Sequence, residues 1–278
     1  MEWTQALLLI GAGLAGGFVG GLVGVGGGII FAPVLFFYYQ GLGVAPDVLT
    51  PLTIGSSLFC TLLVALSSAW FQLRKEAVEK TVALQVGLAS AVAVYLMTRF
   101  VTTQPWYDAT VFQVVFSLVL FVVIVRMVSG KKEQAAAVQT AEDEAPVYRW
   151  PVLVGTGTAA GAVASAVGVG GGIVMVPAYA QGLHLPMHRA VGTSSATIVL
   201  ISLAGVFSYA WAGLGAAVPS TALGYVDVGQ ALLLGLPAVV TARVGVWVAH
   251  RIDTRALRLS FAFLALLVAV RLLWRAFG

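Results

Sequence analysis

Apolar residues dominate this chain in long unbroken runs, and polar residues collect between them. No charged residue occurs from Trp3 to Pro46, and the stretch from Trp3 to Tyr39 is almost wholly apolar. As a single helix that stretch would reach ~55 Å at about 1.5 Å per residue. A hydrocarbon core is only ~30 Å thick, so the run must break and turn. The break is written at Gly24-Val25-Gly26-Gly27-Gly28, where backbone entropy disfavours helix. The pattern therefore predicts a helix, a glycine elbow and a shorter helix. Further apolar segments run from Thr50 to Phe71, Thr81 to Thr98, Ala109 to Val128, Pro151 to Val167, Ile173 to Gln181, Ala190 to Ala212, Val228 to Ala249 and Ala256 to Trp274. All of them read as helices.

Between these segments, Lys131 to Arg149 is polar and alanine-rich, and holds Glu142, Asp143 and Glu144, the composition of an exposed linker. It divides the chain into a first transmembrane repeat (1–130), a linker (131–149) and a second repeat (150–278). The two halves repeat each other. VGVGGGI at Val23 to Ile29 recurs at Val167 to Ile173, Pro33 recurs as Pro177, and QGL at Gln40 recurs at Gln181. Gly55-Ser56-Ser57 answers Gly192-Thr193-Ser194, and Arg126 answers Arg271.

The basic loops change places between the halves. Arg74, Lys75 and Lys80 follow the second segment of the first half, whereas Arg251, Arg255 and Arg258 follow the third of the second half. Basic loops face the cytoplasm. If each elbow unit enters and leaves on one side and three full crossings follow it, both basic loops and the linker fall inside together. The expected fold is thus an all-α polytopic integral membrane protein of two inverted repeats, each a glycine-broken helical hairpin plus three transmembrane helices.

Composition agrees: 60% of residues are hydrophobic, 9% are charged and mean hydropathy is +0.98, where soluble domains carry about 25% charged residues. The 15 Lys and Arg cluster in loops instead of forming the basic face that nucleic acid requires. Cys60 stands alone, which rules out a disulfide or cysteine metal cluster within the chain. The N-terminus has no basic n-region and reads as retained membrane sequence.

Inverted repeats with broken helices are the architecture of secondary transporters, with substrate held at the helix breaks. A helix starting inside the membrane exposes unpaired N–H groups and a positive dipole end. Gly26, Gly27 and Gly28, with Gly170, Gly171 and Gly172, can therefore donate to an oxyanion. Ser56, Ser57, Thr193, Ser194 and Ser195, read at the start of the helix after each elbow, would add hydroxyl donors. The upstream Gly16, Gly17, Gly20, Gly21 and Gly24 instead make small-xxx-small patterns suited to tight packing. Arg243 lies well inside a helix, as a substrate-binding candidate or as a snorkelling side chain. Arg271 reads as an interfacial anchor. No Lys follows the glycines, so a nucleotide loop is excluded. No catalytic pair, metal group, cofactor motif or intramembrane acid is visible, so the chain reads as no enzyme, and a proton-coupled mechanism lacks its expected carboxylate.

The duplicated G-x-G-G-G-x-x-x-x-P elbow, each copy followed by a GSS or GTS stretch, resembles the sulfite exporter TauE/SafE family of membrane permeases. The likeness extends to the central linker and to Ala249-His250-Arg251-Ile252. It implies a permease for sulfite, an organosulfonate or a related sulfur-containing anion in a bacterial inner membrane. The partners would be that anion and membrane lipids, with H+ or Na+ as coupling ion and a homo-oligomer left open. The alternatives are an anion channel using the elbows as a filter and a non-transporting membrane scaffold.

Overall fold

The computed structural model describes residues 3–125, 149–249 and 266–276. Arg126, most of the linker, His250 and the Arg251, Arg255 and Arg258 loop lie outside the described residues.

Each half is a helical hairpin followed by three helices. In the first half these are α1 (Trp3–Val23), α2 (Gly28–Gly41), α3 (Pro46–Arg74), α4 (Lys80–Met97) and α5 (Ala109–Val125). In the second they are α6 (Trp150–Val167), α7 (Gly172–Pro177), α8 (Met187–Ala212), α9 (Val228–Ala249) and α10 (266–276). Two helices continue as single π turns, α4 through Thr98–Thr102 and α7 through Ala178–Gly182. Six described helices are long and apolar enough to cross a membrane, so this is an all-α multi-pass membrane protein. One addition is a short antiparallel ladder, Ala222 with Asp227 and Leu223 with Val226, turning through Gly224.

Helix α3 starts earlier than the apolar pattern predicts. Pro46 occupies its first turn, where a missing N–H costs nothing, and Asp47 beside it complements the helix dipole. Consequently Ser56 and Ser57 lie well inside α3, and Thr193 and Ser194 inside α8, not at helix starts as expected.

Helices α3 and α8 cross at the centre, and the hairpins exchange partners around them. α1 packs chiefly on α9 of the other half, and α6 packs on α4. Glycine makes the first contact possible. A Cβ on Gly13, Gly17 or Gly21 would fall 2.1 Å from the carbonyl oxygens of Leu234, Ala238 and Ala242 in turn. The second contact repeats it, with Gly157 on the Val86 carbonyl and Gly161 on that of Ser90. Backbones approach this closely only where no side chain intervenes. Gly16 has another role, since a Cβ there would strike the Phe31 ring across the hairpin at 2.2 Å. On the flank, Phe112 of α5 stacks on Phe36 of α2, and Ser117 donates to the Ala269 carbonyl of α10. Arg271 lies over the Phe37 ring, with 4.7 Å from Cζ to the ring centre.

The outer surface is apolar. On α4 the exposed stripe is Leu84, Leu88, Val92 and Tyr95, while Val82, Val86 and Ser90 are buried. Trp3, Trp70, Trp150, Trp211 and Trp274 are exposed near helix ends, as indoles at a membrane–water boundary are. Cys60 is fully buried, with Sγ 3.4 Å from the Ala231 carbonyl of α9.

The packing predicts that Gly17→Ala destabilises the protein by at least the ~1–3 kcal/mol of an overpacked core, because its new methyl meets backbone that cannot rotate away. Gly11, with nothing within 4 Å of an added Cβ, should accept alanine without change. Melting temperatures of the purified variants in detergent check both outcomes.

Candidate functional site

Both elbows turn through left-handed backbone that only glycine adopts cheaply. In the first, φ is 71° at Gly24, 81° at Gly26 and 80° at Gly27. In the second, Gly168, Gly170 and Gly171 stand at 75°, 75° and 77°. The first helical bonds of α2 run from Ile30 and Phe31 to the Gly27 carbonyl, and those of α7 from Val174 and Met175 to that of Gly171. The amides of Gly28 and Ile29, and of Gly172 and Ile173, therefore stand outside the helical ladders.

The two elbows meet in the middle of the protein, gripped by the crossing helices. Ser57 Oγ of α3 donates to the Gly168 carbonyl at 2.8 Å, and Ser194 Oγ of α8 donates to the Gly24 carbonyl at 3.3 Å. Each half thus bonds the elbow of the other. Both carbonyls belong to residues just past a helix end, so each bond satisfies a group the helix leaves over. Tyr107, in the loop after α4, donates to the Ala166 carbonyl just before the second elbow. Burial, with a smaller contribution from Tyr209, pushes its phenol well above the usual range, which keeps it a neutral donor.

The expected glycines separate into two groups. Gly26, Gly28, Gly170 and Gly172 face the junction. A Cβ on Gly26 or Gly170 would meet Thr61 Cγ2 at 2.8 or 2.7 Å and Ile198 beside it. One on Gly28 would fall 2.5 Å from the Gly168 carbonyl, and one on Gly172 2.8 Å from Val25 Cα. Gly27 and Gly171 face away from the junction into their own hairpins, towards the carbonyls of Gly16 and Ala160 at 2.6 and 2.7 Å. Their absent side chains close the hairpins.

Ser56 and Thr193 are not at the junction either. Ser56 Oγ accepts the Asp227 N–H at 2.8 Å, and Thr193 Oγ1 accepts the Glu79 N–H at 3.0 Å. They receive the chain where it enters α9 and α4. Ser195 bonds its own helix at the Val191 carbonyl. Arg243 is exposed on α9, its Nε 3.4 Å from Ser67 Oγ, and is not brought to the elbows. Among the described residues no group of His, Cys, Asp or Glu could hold a metal ion; Arg189, beside His188, is ion-paired to Glu79.

Two residues at the junction escaped the sequence reading. Thr61 and Ser202 are fully buried, and neither hydroxyl has a hydrogen-bond partner. Thr61 Oγ1 lies 3.0 Å from where a Gly28 Cβ would stand, and Ser202 Oγ lies 3.7 Å from where a Gly170 Cβ would stand. Asp227 was also missed: it stands just before α9, outside the apolar segment, yet is 1% exposed. The sequence shows it only as the residue before an apolar segment, and the ladder at 222–227 is what folds it inward.

Residues 9–272 match the sulfite exporter TauE/SafE family. The chain belongs to that family. It is 27% identical to a probable membrane transporter protein of Methanocaldococcus jannaschii over 92% of this chain and 90% of the relative. A probable membrane transporter protein of Haemophilus influenzae is 25% identical over 97% of this chain and 98% of its own length. The probable membrane transporter protein YunE of Bacillus subtilis is 29% identical over 74% and 79%. No solved structure matches the chain.

Ser57→Ala and Ser194→Ala each leave a buried carbonyl without its donor, so each should cost about 1–3 kcal/mol. Because the two bonds are counterparts, the losses should be similar. Thr61→Val keeps shape and removes a hydroxyl that bonds nothing, so it should leave the melting temperature unchanged or raise it. Thermal unfolding of the three variants checks this ordering.

Proposed function

We propose that this protein is a secondary transporter carrying a small sulfur-containing anion, such as sulfite or an organosulfonate, across a bacterial-type inner membrane, with the paired elbows as its binding centre. Membership of the TauE/SafE family supports the chemistry, and the names of the relatives support the transporter class. The observation that carries the binding centre is the pair of buried, unpartnered hydroxyls on Thr61 and Ser202. An unsatisfied buried hydroxyl costs free energy, and it persists here beside unpaired amides at the start of a buried helix. A bound oxyanion would satisfy both kinds of donor.

The centre then comprises Gly26, Gly28, Gly170 and Gly172 with Thr61 and Ser202. Ser57 and Ser194 act as latches between the elbows. The elbows touch in the present arrangement, since glycine Cβ positions on one overlap backbone of the other. Admitting an anion therefore requires them to part, and the two latch hydroxyls released by that movement become further donors. The loop carrying Arg74, Lys75 and Lys80 lies on the cytoplasmic side in this reading, and the loop from Gly213 to Asp227 faces outward, which makes the repeats inverted.

Two experiments test the reading. Purified protein is screened by thermal shift against sulfite, thiosulfate, sulfate, sulfoacetate and taurine, then assayed for counterflow in proteoliposomes. One ligand should stabilise selectively and show saturable counterflow, which a channel lacks. A hydrogen bond to a charged acceptor contributes about 1.5–3 kcal/mol, so Thr61→Val should weaken that ligand roughly tenfold or more while folding normally. Stabilisation by none of the five, or an unaltered affinity in Thr61→Val, removes the elbows as the centre. For topology, cysteines are placed at Lys75 or Gly215 in a Cys60→Ala background. An impermeant thiol reagent outside intact cells should label only Gly215→Cys; labelling of Lys75→Cys would overturn the orientation.

A further inference from the structure

The halves match closely where the chain enters α4 and α9, and the match fails at one charge. A Cβ on Gly192 would fall 2.2 Å from the Ala77 carbonyl, and one on Gly55 would fall 2.1 Å from the Tyr225 carbonyl. Two residues further along the loops, Glu79 N–H donates to Thr193 and Asp227 N–H donates to Ser56. Glu79 and Asp227 are therefore counterparts, each an acid placed directly before its helix. Glu79 is ion-paired to Arg189, three residues before Gly192. Three residues before Gly55 stands Leu52, fully buried. The guanidinium that neutralises one acid is a hydrocarbon side chain at the other.

Asp227 is nonetheless the more deeply buried of the two, at 1% exposed against 23% for the Glu79 side chain. Its neighbour Ser56 lies about 15 Å along α3 from the start of that helix. The Asp227 carboxylate accepts only neutral donors: Thr221 Oγ1 at 2.7 Å and the Gln230 N–H at 3.1 Å, both on Oδ1. The second of these makes Asp227 the N-terminal cap of α9, but a neutral Asn or Ser caps as well and would spare the cost of burying a charge. The groups of other helices that act on it electrostatically are Tyr38 and Tyr39 of α2 and Cys60 of α3. None is cationic, and among the described residues no Lys, Arg or His is paired with it. Around it, Ser56 Oγ accepts from Tyr39 at 3.2 Å, and one turn into α9 Gln230 holds a buried Oε1 with no donor.

We propose that Asp227 binds one positive charge, a proton or an alkali cation, in the place that Arg189 fills permanently for Glu79. A buried carboxylate without a countercharge is strongly disfavoured, and a small cation held between it and the donorless Gln230 Oε1 would relieve it. In the transport cycle this would be the coupling site, and only that role rests on the transporter reading above.

The test is cation occupancy of the purified full chain. Melting temperature is measured against Na+, with choline holding ionic strength constant, and separately against pH. Binding to the folded state should raise it. A rise with Na+ in the wild type that Asp227→Asn lacks identifies an alkali cation. A rise of wild type relative to Asp227→Asn as pH is lowered identifies a proton. Asn keeps the cap, and Asp227→Ser provides a second variant that does so. Glu79→Gln should retain the wild-type response. Curves for wild type and Asp227→Asn that superimpose in both series overturn the proposal, and so does a wild type indifferent to both Na+ and pH, whatever the variants do. A protein that responds to cation but to none of the sulfur anions sinks the anion reading and leaves this one standing; the reverse result sinks only this one.

Discussion

Irregular backbone in the interior of a membrane protein is cut off from bulk water, so the polar groups it exposes need partners in the protein or in something bound there. The two glycine elbows are such backbone. The fold answers the requirement by exchange, Ser57 of one half bonding Gly168 of the other and Ser194 bonding Gly24. Neither half can satisfy its own elbow in this way. The reciprocal pair therefore dictates that α3 and α8 cross at the centre, and that crossing in turn sets α1 against α9 and α6 against α4.

The glycines divide their labour by the direction in which a side chain is missing. Gly13, Gly17 and Gly21 bring α1 onto the backbone of α9, Gly16 admits the Phe31 ring, and Gly27 lets the hairpin close on the Gly16 carbonyl. Apart from the Phe31 ring, these contacts are backbone on backbone and have no side-chain rotation to absorb a change. The junction mixes two kinds of contact: backbone on backbone, at Gly28 against the Gly168 carbonyl and Gly172 against Val25 Cα, and side-chain contacts through two hydroxyl hydrogen bonds, the methyl of Thr61 and the branched side chain of Ile198.

Duplication and divergence are both visible at the acids. The hydroxyl that receives the chain, the glycine beneath the preceding carbonyl and the acid itself are kept in both halves, while the arginine is present in one alone. A symmetric scaffold carrying an asymmetric charge gives the two halves different electrostatics on one backbone plan.

Much of the fold is legible in the residue pattern. Apolar runs set the number of helices, the length of the first run forces the break, and the glycine repeat makes the break recur, because helix length and hydrocarbon thickness are both set by backbone geometry. Side-chain direction is not set by those quantities. Gly26, Gly27 and Gly28 are adjacent in sequence, yet left-handed turns send the middle position into the hairpin and its neighbours to the junction. Thr61 sits in an apolar run beside other hydroxyls such as Thr53, which bonds the carbonyl four residues back in its own helix, and nothing local tells the bonded from the unbonded. Arg243 has the sequence of a buried charge but lies on the outer face of α9. Asp227 has the sequence of a loop residue, and only the docking of the 222–227 ladder against α3 takes it out of solvent. The sequence by itself determined what each segment is, since that follows from periodicity and length; the tertiary structure decided which polar groups face one another, since that depends on how distant segments cross.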